Sequence, residues 1–118
     1  MSSRRVFVDC DDTLILWPSE VLRAGDEPAI NYQLLSALAI HRSGSPKDKM
    51  IVWSGGGADY AERWRRTIMP WADDSMSKDT HLPLPGDICI DDMPIRVAAT
   101  SVYTWEEFIN RGIPHFTS

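Results

Sequence analysis

The stretch Val6-Phe7-Val8-Asp9-Cys10-Asp11-Asp12-Thr13-Leu14 limits what this chain can fold into more than any other. Three apolar residues run without interruption, and three carboxylates then follow within four positions. A β-branched and aromatic run with no polar alternation suits a strand buried on both faces, the habit of parallel sheets. The acids then fall at the strand's carboxyl end, where open α/β sheets bind their ligands. Carboxylates this close repel one another. A hard divalent cation relieves that repulsion, and Mg²⁺ is commonly held by one or two carboxylates together with a substrate phosphate. Taken alone, the run is equally a polar turn with solvated acids.

The chain repeats the pattern. Ile88-Cys89-Ile90 is a second apolar run that ends in paired acids, Asp91 and Asp92. Met50-Ile51-Val52-Trp53 is a third, ending in Ser54 and followed by Gly55-Gly56-Gly57. A strand, a glycine turn and a helix start can direct backbone N–H groups at an anion. The spelling is neither G-x-x-x-x-G-K-S/T nor G-x-G-x-x-G, which excludes the nucleotide-binding motifs.

Helical patterns fill the intervals. The first spans residues 28–43, with Pro28 suited to a first turn and Gly44 and Pro46 as stops. Ile30, Leu34, Leu38 and His41 line one stripe of it, His41 as a structural side chain. The second helix begins near Ala58 and ends at Pro70, with Tyr60, Trp64 and Ile68 facing the sheet. Residues 71–87 show no clear period and leave room for a short strand; they include Lys78, by spacing alone either a loop lysine or a phosphate partner. Residues 97–103 read as a further strand, and Thr104-Trp105-Glu106-Glu107 spells a capping box before a last helix that Gly112 and Pro114 end. Strands alternating with helices predict a three-layer α/β/α Rossmann-like fold with a mainly parallel sheet, a single domain over residues 1–118.

A net charge of −5 and a pI near 5.0 argue against a nucleic-acid-binding surface. The cluster Arg63, Arg65 and Arg66 reads as a solvated helix face. No apolar run approaches the roughly 18 residues of a membrane span, and the start of the chain lacks a signal peptide's apolar stretch, so the expected location is the cytoplasm. Cys10 and Cys89, both in strand-like runs without a nearby His pair, read as reduced core thiols and not as a zinc site.

Asp9-Cys10-Asp11-Asp12-Thr13 resembles the first motif of the haloacid dehalogenase superfamily, DxDx(T/V). Residues 50–54 resemble its second motif, Lys78 stands where the third motif's lysine can fall, and residues 88–92 resemble the fourth. Asp12 replaces the glycine usual in the first motif. The resemblance implies a small capless (C0-type) member: a helical turn and hairpin flap follow the first motif, and the chain has no room for a cap. It also makes the strands of the first and fourth motifs neighbours, so that the two thiols approach one another.

What the resemblance implies chemically is a Mg²⁺-dependent phosphomonoester hydrolase working through an aspartyl-phosphate. Asp9 is the nucleophile and a metal ligand. Asp11 is the general acid and base, and is counted with Asp91 and Asp92 among the acids around the metal. Which of Asp91 and Asp92 touches the metal directly stays open. Ser54 and Lys78 hold the phosphoryl group, Thr13 braces the loop, and Gly55 and Gly56 contribute to substrate binding. The partner is a phosphorylated substrate, either a small molecule or a nucleic-acid or protein end. Other readings are a polynucleotide 3′-phosphatase, a dehalogenase, or a non-catalytic receiver or binding module. Asp11 speaks against the dehalogenase, which needs no acid for its leaving group. Ser54 speaks against the receiver, which needs an Asp at that strand's end. Trp17 and Trp53 either stack a base or pack.

Overall fold

The computed structural model describes residues 4–18, 27–92 and 101–111. Its elements, in chain order, are β1 (Arg5–Asp9), β2 (Ile15–Leu16), β3 (Ala29–Ile30), α1 (Tyr32–Gly44), β4 (Lys49–Ser54), α2 (Ala58–Ile68), β5 (Asp74–Ser77), β6 (Ile88–Ile90), β7 (Ser101–Tyr103) and α3 (Trp105–Arg111). Five strands form one sheet in the order β5-β4-β1-β6-β7, every neighbouring pair parallel. β2 and β3 form a separate antiparallel pair. The result is a Rossmann-like α/β domain, and among the described residues no cap unit is inserted into it.

β1 is the central strand because its sequence tolerates water on neither face. Val6 and Val8 join Leu34 and Leu38 of α1, Ala61 of α2 and Phe108 of α3 in one core cluster. Phe7 points the other way and packs with Ile51, Trp53 and Cys89. Burying each of the Val, Leu, Ile and Phe side chains among these stabilises the fold by about 1.5–3 kcal/mol. All three described helices therefore feed the same face of the sheet. On the other face Phe7 and Trp53 pack with ring centroids 5.1 Å apart. Trp53 Nε1 donates at 3.1 Å to the His81 carbonyl, in the segment joining β5 to β6. That segment supplies the outer layer there as turns and extended chain, without a helix. The two thiols are free and lie on opposite faces, Cys10 with the helix-side cluster and Cys89 beside Phe7 and Trp53.

The first helix starts later than its Pro28 signal. Ala29 and Ile30 pair with Leu16 and Ile15 instead. Asn31 is the cap: its Oδ1 accepts from the Leu34 N–H at 3.1 Å, and its Nδ2 donates to the Thr13 carbonyl at 2.9 Å. One buried side chain thus satisfies a free helix N–H and ties the helix start to the acid-rich loop. The buried stripe of α1 is Leu34, Leu38 and His41, with Ile30 used in the ladder. His41 is structural, its Nε2 lying 2.7 Å from Oδ2 of the buried Asp48. Arg4 reaches both oxygens of Asp48, at 3.2 and 2.7 Å, and so fastens the start of β1 to the turn before β4.

α2 ends at Ile68, just ahead of Pro70, with Tyr60, Trp64 and Ile68 against the helix-side core. Its arginines are not a plain solvated face. Arg65 and Arg66 both bind Glu62, and Arg65 also donates to the carbonyls of Pro70 and Ala72. β5 is the strand that residues 71–87 left open, an edge strand of polar spelling. β7 takes up the end of the strand expected over 97–103, whose residues 97–100 lie outside the described ones, as do Gly112 and Pro114. The capping box forms: Thr104 Oγ1 accepts from the Glu107 N–H at 3.1 Å, and Glu107 Oε1 accepts from the Thr104 N–H at 3.0 Å.

Candidate active site

Because the sheet is parallel, every strand delivers its carboxyl end to one edge. β1 ends in Asp9, β4 in Ser54, β5 leads into Lys78, and β6 leads into Asp91 and Asp92. The register Val8↔Ile90 carries forward to bring Asp91 level with Asp9, and Ser54↔Ser77 sets Lys78 beside them. Asp9, Asp91 and Asp92 each offer an oxygen, and these lie within 4.8 Å of one another. Asp9 and Asp91 are buried; Asp92 is exposed.

Lys78 is the cation among them. Its Nζ lies 3.0 Å from Asp9 Oδ1 and 2.5 Å from Asp91 Oδ2. It also sits 4.9 Å from the centre of the Trp53 ring. Burial pushes the Asp9 carboxyl up to about 8, with Asp91's negative charge adding and Lys78 pulling the other way. Burial also raises Asp92. For Lys78, burial works to lower its pKa, but the hydrogen bond to Asp91 and the charge of Asp9 leave it raised. One ammonium cannot balance all three acids in their ionised form, and Asp91's charge adds to burial in raising Asp9. An all-oxygen donor set of this kind fits a hard divalent cation, not a soft one.

Asp11 stands apart from that trio. Its Oδ1 receives Trp17 Nε1 at 3.0 Å and Tyr60 Oη at 2.7 Å. It lies on the same loop as Asp9 but is not among the acids whose oxygens converge. Burial and the hydrogen bond to Asp11 push the Tyr60 hydroxyl up to about 12, so it stays a donor at neutral pH.

The loop itself is held tightly. Thr13 Oγ1 donates to Asp9 Oδ2 at 3.4 Å, and the Leu14 N–H donates to the Asp9 carbonyl at 3.3 Å. Asp12 has φ 60°, a left-handed backbone that glycine adopts freely and Asp or Asn tolerates better than most residues. The departure from glycine at this position is thus sterically accommodated.

Ser54 is buried, and its Oγ accepts from the Gly56 N–H at 3.0 Å. A Cβ on Gly56 would meet the Tyr60 ring at 3.2 Å and Ser54 Oγ at 3.3 Å, so a larger residue there would push on both side chains. Gly57 has φ 107° and opens α2 without a side-chain cap. Gly55 lies beside the Lys78 stem, where an added Cβ would make only an ordinary 3.9 Å contact. Trp53 is 2% exposed and packs, so it is not placed to stack a base. Burial pushes both thiols up, Cys89 to about 12, which disfavours the thiolate that cysteine chemistry needs.

Two residues at this site escaped the sequence reading of their roles. Tyr60 reads as part of an apolar helix stripe and Trp17 as a packing or stacking ring, yet each spends its polar atom on Asp11. The available signal was chemical: a tyrosine where phenylalanine would pack equally well.

The fold and site together define a class, a parallel α/β domain whose carboxyl edge gathers an acid trio, a lysine and a serine before a glycine turn. Comparison with protein-family models, with curated proteins and with solved structures found no match. Among the described residues, no helix is long and apolar enough to cross a membrane.

Proposed function

We propose that this chain is a Mg²⁺-dependent phosphomonoester hydrolase of the haloacid dehalogenase type. One observation carries the reading: Asp9, Asp91 and Asp92 converge within 4.8 Å while Lys78 reaches Asp9 and Asp91, all at the carboxyl edge of a parallel sheet. A lone acid cluster is common on protein surfaces; one that is partly buried, joined to a lysine and set beside a glycine turn is organised for a phosphoryl group.

Asp9, Asp91 and Asp92 would hold the metal, which when bound supplies charge neutralisation and orientation at the phosphoryl oxygens. An Asp9 oxygen forms a bond to phosphorus as the bond to the leaving oxygen breaks. The electron pair of that bond stays on the leaving oxygen, which takes its proton from Asp11. Water then attacks the phosphorus, gives its proton to Asp11, and the phosphorus–oxygen bond to Asp9 breaks to return the carboxylate and release inorganic phosphate. Lys78 balances the negative charge on Asp9 and the phosphoryl group throughout. The Ser54 hydroxyl accepts from the Gly56 N–H and so keeps its own proton to donate to a phosphoryl oxygen. The substrate is a phosphorylated small molecule or the end of a nucleic acid or protein.

The test is phosphate release from a panel of phosphomonoesters with and without millimolar Mg²⁺, with Asp9→Asn as control. Release that needs both Mg²⁺ and Asp9 supports the reading. No release from any phosphomonoester, with the protein folded, sinks it. A Mg²⁺-induced melting shift without turnover favours the receiver or binding module instead.

A further inference from the structure

Asp11 Oδ1 is addressed from two elements at once. Trp17 follows β2 and donates through Nε1 at 3.0 Å. Tyr60 lies in the first turn of α2 and donates through Oη at 2.7 Å. Among the described residues no hydrogen bond is made to Oδ2 of Asp11. The hydroxyl of Tyr60 is not needed for packing, since phenylalanine would give the same ring contacts with the core. The Tyr60 ring lies beside the glycine turn, in space that a Cβ on Gly56 would approach to 3.2 Å. The same turn holds the Ser54 hydroxyl through the Gly56 N–H.

We propose that Trp17 and Tyr60 are positioning residues that clamp Asp11 by one oxygen, turning it away from the Asp9, Asp91 and Asp92 trio and presenting Oδ2 to the leaving group. This rests on the hydrolase reading above. A carboxyl oxygen has two lone-pair directions, and here both on Oδ1 are taken by donors. The proton that Asp11 gives up is therefore carried on Oδ2. It passes to the leaving oxygen as that oxygen receives the electron pair of its broken bond to phosphorus. The two donors come from the segment after the first motif and from α2, so the clamp also links these two parts of the site. Holding a planar carboxyl at two points fixes its plane as well as its position, and proton transfer in the transition state depends on both.

Tyr60→Phe keeps the ring and removes the donor; Trp17→Phe removes the donor and leaves a smaller aromatic side chain. The experiment measures kcat and KM in Mg²⁺ for an alkyl phosphate, whose leaving group needs a proton, and for nitrophenyl phosphate, whose leaving group does not. Each variant is expected to lose about tenfold in kcat on the alkyl ester, the scale of one hydrogen bond to a charged group, with less than about twofold on the nitrophenyl ester and little change in KM. In an Asp11→Asn background, Tyr60→Phe should cost almost nothing further, because the group it positions no longer acts. The Mg²⁺-induced melting shift should be retained in both single variants. Equal losses on the two substrates, or full additivity with Asp11→Asn, overturns the clamp and makes these contacts packing. A wild-type protein that releases phosphate with variants that match it rejects the clamp alone. A wild-type protein that releases none rejects the hydrolase reading and the clamp with it.

Discussion

Lys78 Nζ and Asp91 Oδ2 lie 2.5 Å apart, joining the loop after the edge strand β5 to the end of β6, with two strands of the sheet between them. The same ammonium reaches Asp9 at 3.0 Å, so one cation serves two buried carboxylates. Lys78→Met removes it and leaves those acids facing each other. Removing one partner of a fully buried ion pair costs about 3–5 kcal/mol, and the Lys78 side chain is 25% exposed. The metal-free protein should therefore lose about 2 kcal/mol, read from urea denaturation in EDTA. The loss should shrink in millimolar Mg²⁺, which replaces the missing charge. Unchanged stability in EDTA would show that the lysine does not pair with these acids in solution.

Metal should stabilise the protein by mass action. With free Mg²⁺ at roughly a hundred times its dissociation constant, the gain is about 2.7 kcal/mol, visible as a raised melting temperature. Asp91→Asn should remove most of that shift, whereas Asp11→Asn should keep it, because Asp11 lies outside the trio. Ca²⁺ should also raise the melting temperature yet support little turnover, since it accepts looser coordination than Mg²⁺ demands. A metal shift lost in Asp11→Asn but kept in Asp91→Asn would reverse the assignment.

Glu62 gives a pH signature away from the site. Hydrogen bonds from Arg65 first and Ser75 next hold its carboxyl down at about 2, against an ordinary 4.5. A depressed carboxyl contributes stability that is complete above its unfolded value and is lost as pH falls through the folded one. The contribution is thus present at pH 6 and disappears between about 4.5 and 2. Glu62→Gln should melt below the wild type at pH 6, and the two curves should converge toward pH 2. A gap that stays constant across that window would mean that charge is not what Glu62 contributes.

Asp12 tests the backbone of the first loop. At φ 60°, Asp12→Gly should be nearly neutral or slightly stabilising. Asp12→Val should cost about 1–2 kcal/mol, because a β-branched side chain clashes in the left-handed region. Chemical denaturation of the two variants at neutral pH measures both. Equal stability of the glycine and valine variants would place Asp12 in another conformation.

The sequence determined by itself what depends on neighbours along the chain. Three apolar runs, two ending in acids and one in Ser54, alternate with helical patterns, and together they spelled a parallel sheet with its polar ends on one edge. Gly57 with Ala58 and Pro70 with Ile68 marked α2, and Thr104 with Glu107 marked the start of α3, because caps act over three or four residues. Tertiary structure decided what depends on partners far apart in sequence. Ile30 left its helical stripe because Ile15 offered it a strand. Asp48 and Asp87 became structural acids because Arg4 and Arg5 reach them from 44 and 82 residues away. Asp73 did so because Arg42 lies 31 residues off. The polar strand β5 had no apolar signal, since an edge strand needs only one paired side. Cys10, just past the end of β1, and Cys89, in the adjoining β6, ended on opposite faces of the sheet. Asp11 is held by Trp17 and Tyr60, whereas Asp9, two residues earlier, faces Lys78. Local spacing places a carboxylate on a loop, but the donors that the fold brings to it choose its direction.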